Sequence, residues 1–210
     1  MKLETNPESQ SITMRGGIGD FDGHISADDF LDALALHEGG DVTIYLDSPG
    51  GSVTDGLSIY NALMGYDGKV TVHVDTLSAS IASVMMCAAD HVIVNSNAKV
   101  MIHRAWSVAM GDCRELRQLA DILEMMDNDI AGVYADKSGN DDKSHWLSLM
   151  DRETWFSAEE AVAAGLADEV YEVKRKPKAQ AELPKPVAMG PVYAVLAESS
   201  AKRIRLRLTK

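Results

Sequence analysis

The sequence predicts an α/β fold of repeated βαβ units around a mainly parallel sheet. Two observations predict it. Short β-branched runs, 42–46, 70–74, 91–94 and 100–103, recur through the first half of the 210-residue chain. Segments long enough for helices separate the first three, and a helix-length connection between strands favours parallel neighbours. With 46% apolar and 25% charged residues, the chain has the composition of one globular domain able to bury a sizeable core.

Each element follows from its residues. Residues 11–23 read as a short strand running into a Gly-rich turn. Ser26 reads as an N-cap, with Asp29 in the first turn and Phe30, Leu31 and Leu34 as the apolar face of a helix. Gly39-Gly40 ends that helix. Val42–Leu46 is a buried strand, broken by Asp47-Ser48-Pro49-Gly50-Gly51, and a helix follows through Leu57, Ile59, Tyr60, Leu63 and Met64. The unit then repeats. Val70–Val74 is a strand, and the charge-free segment Ser80–Ala89 reads as a buried helix. His91–Val94 and Val100–His103 are two further strands.

The longest helix is expected from Glu115 to Tyr134. Its Leu116, Leu119, Leu123, Met126, Ile130 and Val133 recur at alternating steps of three and four, a narrow seam. Two readings stand: a face packed on its own domain, or a projecting helix that pairs with another subunit. A last helix, Ala158–Ala164, closes at Gly165, and Val170 and Val173 mark a final strand. Pro177, Pro184, Pro186 and Pro191 mark a linker, and Arg203–Leu208 alternates with period two. The expected organisation is a domain over 1–173 and a Pro-containing basic tail over 174–210.

Charge separates the two parts. Residues 1–170 carry a net −19 and residues 171–210 a net +7 within the overall −12. A body this acidic repels phosphates, so no nucleic-acid partner is expected. No apolar run approaches 18 residues and the amino terminus lacks the apolar stretch of a secretory signal, so neither a membrane span nor export is expected. Cys87 and Cys113 lack metal-like spacing and read as free thiols of a reducing cytoplasm. Neither a metal nor an organic cofactor is indicated.

A serine hydroxyl is a poor nucleophile until a base takes its proton, and acyl transfer also needs donors for the developing oxyanion. Ser80 leaves a strand and enters an apolar helix, where unpaired N–H groups favour negative charge. On local sequence alone Ser78 or Ser80 reads equally as an N-cap. Gly50 and Gly51 supply bare N–H donors or simply a turn. Among six histidines, His103 ends a strand. Taken singly, none of these identifies a site.

Together the blocks carry a resemblance. Tyr45–Tyr60, with Ser48-Pro49-Gly50-Gly51 inside it, resembles the strand–turn–helix block of ClpP-type serine peptidases. Ala79-Ser80-Ile81-Ala82-Ser83 resembles their nucleophile turn, and Met101-Ile102-His103 their general-base strand. Ser157–Ala161 to Gly165–Asp168 resembles the segment after their acidic residue. The match covers about 11–172. It implies the ClpP/crotonase-like fold with a projecting long helix, and a serine endopeptidase that takes protein or peptide substrate and assembles as homo-oligomeric rings. Ser80 is then the nucleophile and His103 the general base. The backbone N–H groups of Gly51 and Ile81 become the oxyanion donors, and Gly50–Gly51 lies beside the bound peptide. The family's usual aspartate falls on Glu153, with Asp151 as the competitor.

Leu149–Phe156, with Ile12–Gly19 upstream, is similar to the ClpP-related head-maturation (prohead) proteases of tailed phages. That similarity implies ATP-independent cleavage of scaffold or capsid-protein segments, in the host cytoplasm and inside an assembling prohead. Two alternatives remain: a cytoplasmic ClpP-type peptidase fed by an ATP-driven unfoldase, and a crotonase-like acyl-CoA enzyme that would need neither Ser80 nor His103.

Overall fold

The computed structural model describes residues 2–20 and 22–174; the period-two segment and the rest of the tail lie outside them. Eight strands form one sheet among the described residues. They are β1 (Lys2–Asn6), β2 (Ser11–Arg15), β3 (Val42–Ser48), β4 (Val70–Ala79), β5 (His91–Asn95), β6 (Lys99–Ile102), β7 (Thr154–Ser157) and β8 (Glu169–Tyr171). Six helices join them: α1 (Ala27–Ala35), α2 (Val53–Met64), α3 (Ile81–Met86), α4 (Cys113–Ser138), α5 (Lys143–Asp151) and α6 (Ala158–Ala163). The main path runs β1-β2-β3-β4-β5-β8, and β6 joins β4 on one side and β7 on the other. The pairs from β2 through β5, with β4–β6 and β5–β8, are parallel. Only β1–β2 and β6–β7 are antiparallel. The mainly parallel α/β class expected from the sequence is what forms.

Alternation sets the core. In β3, Val42, Ile44 and Leu46 are buried, and Val70, Val72 and Val74 repeat the pattern in β4. Strands that bury these β-branched side chains and carry helices on the connections close over one cluster, which includes Ile12, Phe30, Ile59, Met86 and Val94. α1 starts on a capping box, Ser26 Oγ accepting from Asp29 N–H while the Asp29 carboxylate accepts from Ser26 N–H.

β4 reaches five residues past the predicted Val74, and its partner changes along the way. Thr71–Val74 pairs β5, whereas Leu77–Ala79 pairs β6. That fork delivers residue 80 to the end of β6. The helix expected from Ser80 is shorter, and Ser80 stands outside it.

Three elements carried no sequence signal. β1 is a polar edge strand in which only Leu3 and Thr5 are half-buried. β7 has four residues, too few for a period. α5 buries only Trp146 and Met150, one pair at a four-residue step. The two halves of the long helix differ. Ile130, Ala131, Tyr134 and Ala135 pack on the body, while Leu116, Ile122 and Met125 in the outer half stand exposed.

Candidate active site

Ser80 sits at the sharp turn between β4 and α3 with φ 56° and ψ −131°, a left-handed backbone that a non-glycine residue rarely adopts. It occupies the N-cap position, but its side chain makes no capping hydrogen bond. The hydroxyl is therefore not consumed by the helix. It faces His103 instead, with Oγ 2.7 Å from Nε2.

Sheet register explains the meeting. Ala79 pairs Met101 across β4 and β6, and Ser80 N–H donates to Met101 O at 2.9 Å. β4 ends just before Ser80 and β6 just before His103, so neighbouring parallel strands place hydroxyl and imidazole together. With Nδ1 protonated, the hydroxyl donates to Nε2, the direction that general-base catalysis needs.

Gly50 and Gly51 lie against the serine. Gly50 has φ +91°, and a Cβ there would fall 2.6 Å from Ser80 Cβ and 2.7 Å from Ala79 O. Gly51 has φ +150°, and a Cβ there would fall 2.0 Å from Ile18 O. The segment is clamped by Ile18 N–H donating to Gly50 O at 2.9 Å and Ser52 N–H donating to Ile18 O at 2.8 Å. Between these clamps the Gly51 N–H takes no acceptor among the loop and cap bonds of the described residues, and neither does that of Ile81, the first residue of α3. First-turn N–H groups of a helix have no intrahelical partner, so such donors remain available to a ligand.

Above this floor lies a cavity of about 720 Å³. Pro49–Thr54, Ser80 and His103 line one side; Trp106 and Val108, with Leu119, Leu123 and Met126 of α4, line the other. Three residues of the sequence seam therefore face the cavity.

The acidic member is where structure and expectation part. Antiparallel pairing of Ile102 with Thr154 puts Glu153 next in line opposite His103, as the motif register required. Its side chain turns away. Glu153 is exposed at φ +50°, and its carboxylate accepts from Trp155 Nε1 at 3.2 Å. Asp151 is held by Arg104, whose Nε donates to it at 2.7 Å. That hydrogen bond, ahead of simple charge attraction, keeps the Asp151 carboxyl below its ordinary range. Among the described residues neither carboxylate reaches the imidazole.

Sequence reasoning passed over Arg104 and Asp127. Arg104 Nη1 donates to Asp127 at 3.1 Å, and Asp127 also accepts the Ala105 N–H at 2.7 Å. These bonds tie the chain just after His103 to α4 and α5. The sequence signal was partial: Asp127 directly follows the seam residue Met126, and the structure leaves it only 5% exposed, a place where an acid needs partners.

The model of the Clp protease family matches residues 10–174. The chain belongs to that family. As a Clp protease it is a serine-type peptidase, and the acyl-CoA alternative falls away. It is 32% identical to the ATP-dependent Clp protease proteolytic subunit of Bacteroides fragilis over 143 residues, covering 67% of this chain and 68% of that one. It is also 32% identical to the subunit of the same name from Ligilactobacillus salivarius over 151 residues, covering 71% and 75%. To proteolytic subunit 2 of Cutibacterium acnes it is 30% identical over 133 residues, covering 62% of each. The Clp protease chain thus spans about two thirds of the length of these relatives. No described helix is long and apolar enough to cross a membrane.

Proposed function

We propose that this chain is an endopeptidase in which Ser80 is the nucleophile and His103 its general base. The observation that carries the reading is the 2.7 Å contact between a strained, uncapped serine hydroxyl and a histidine Nε2. Ser80 Oγ attacks the scissile carbonyl as His103 Nε2 takes its proton. The oxyanion accepts from the N–H groups of Gly51 and Ile81. His103 then returns the proton to the leaving amine, and water hydrolyses the acyl-enzyme by the same route. The substrate lies extended along Gly50–Gly51 with apolar side chains in the cavity of α4. Ser80→Ala and His103→Ala are each expected to lower peptide cleavage by about four to six orders of magnitude. Cleavage that survives Ser80→Ala would refute the assignment.

Glu153 completes the set by turning from Trp155 onto His103 Nδ1. Its place in the register opposite His103 supports this, and so does the single exposed hydrogen bond that it must exchange. Asp151 is already engaged by Arg104. Glu153→Gln is expected to lower kcat by about ten- to a hundredfold, and Asp151→Asn by less than about threefold. The reverse order would give the orienting role to Asp151.

For the setting, we propose a homo-oligomeric ring that trims scaffold or capsid-protein segments in an assembling phage head, within the host cytoplasm. The wording of Leu149–Phe156 supports it. The relatives are proteolytic subunits of ATP-dependent Clp proteases, which favours a second reading, a peptidase fed by an ATP-driven unfoldase. Cleavage of a co-expressed scaffold protein without ATP supports the first. A requirement for an ATPase to degrade folded substrate establishes the second.

A further inference from the structure

The strained turn at Ser80 needs something behind it to hold it. The Ser80 carbonyl accepts twice from one residue: Ser83 N–H donates to it at 2.9 Å and Ser83 Oγ at 2.6 Å. The Ser83 hydroxyl proton is thereby committed. The 2.8 Å contact between Ser83 Oγ and Tyr134 Oη therefore has Tyr134 as donor. Ser83 and Tyr134 are both buried, at 0% and 1% exposure, so water does not compete for these bonds. Burial also pushes the Tyr134 phenol well above its ordinary pKa, which keeps the O–H a donor throughout the working pH range. On the far side the Cys87 thiol, pushed up to about 12 by burial, donates to Ser83 O at 3.1 Å.

Tyr134 belongs to the helix that lines the cavity, eight residues beyond Met126 and on the same face. Its ring borders a small gap together with Ser80, His103 and Ile130. One rigid element thus touches the substrate side with Leu119, Leu123 and Met126 and the back of the serine turn with Tyr134.

We propose that Ser83 and Tyr134 form a buried positioning pair that holds the Ser80 turn in its reactive geometry and registers it against α4. The inference rests on Ser80 being the nucleophile. Neither residue touches substrate; they act through the Ser80 carbonyl. Hydrogen bonds in a dry interior are directional and costly to leave unmade, so loss of one relaxes the strained dihedrals without unfolding the chain.

The test is Tyr134→Phe, which removes one oxygen and keeps the packing. The rate of fluorophosphonate labelling of Ser80 and the kcat for a peptide are both expected to fall by about tenfold, with KM changed by less than about twofold. Tm is expected to fall by about 2–4 °C. Ser83→Ala should lower both rates at least as far, and the double variant should add nothing beyond it, because the two bonds act in series. Unchanged labelling and kcat in both single variants would overturn the proposal, as would a raised KM at constant kcat. Full cleavage by Ser80→Ala in the same assay would instead show that the site reading itself has failed.

Discussion

The turn at Ser80 depends on what its neighbours lack. Gly50 has no Cβ, and its backbone runs where one would strike Ser80 Cβ and Ala79 O. Gly50→Ala is therefore expected to do two things. A positive φ and two contacts below 3 Å cost about 2–4 kcal/mol of stability. The shift that relieves them moves the hydroxyl or the Gly51 N–H, so kcat falls by about a hundredfold even where the protein remains folded. Thermal melts and kinetics on one preparation check both, and a folded, fully active Gly50→Ala would mean that the close approach is not needed. At this scale the sequence was informative about identity and silent about orientation. The meeting of Ser80, His103, Gly50 and Gly51 was legible because motif order encodes backbone position. The turn of Glu153 toward Trp155 is a side-chain orientation held by the indole two residues on, which no spacing reveals.

At the scale of elements, the site depends on how closely α2 approaches α3. Gly56, in the first turn of α2, leaves space that Ile81 fills: a Cβ there would lie 2.1 Å from Ile81 Cγ1. Ile81 is both the first residue of α3, which follows the proposed nucleophile, and a proposed oxyanion donor. Gly56→Ala is expected to cost about 1–3 kcal/mol by overpacking and to lower kcat through displacement of α3, a pairing that denaturant melts and kinetics together detect. Unaltered kcat would separate helix packing from the site. The elements with clear apolar periods, α1, α2, β3 and the start of β4, were legible for the reason that they are stable: one face of each is buried. β1, β7 and α5 were not, because an edge strand, a four-residue strand and a helix with two buried side chains carry too little pattern. The switch of β4 from β5 to β6 was equally invisible, since pairing is a tertiary choice that either β-branched neighbour could satisfy.

Across the whole molecule, one parallel sheet does the work of convergence. Residues 50, 80 and 103 are separated by 30 and 23 positions in sequence, yet each stands just past the end of β3, β4 or β6. In open α/β sheets the carboxyl ends of the strands are where ligands bind, because loops there can vary over a rigid base. The long helix then walls the cavity over those ends and braces the serine turn from behind. The net negative charge of residues 1–170 was legible by counting.

The most direct measurement is mass spectrometry of the protein after reaction with a fluorophosphonate, run on wild type and His103→Ala. A nucleophile activated by His103 gives a single adduct on the peptide that contains Ser80, formed at least about a hundredfold more slowly in His103→Ala. An adduct on another serine, no adduct at all, or equal labelling of the two proteins would contradict the account.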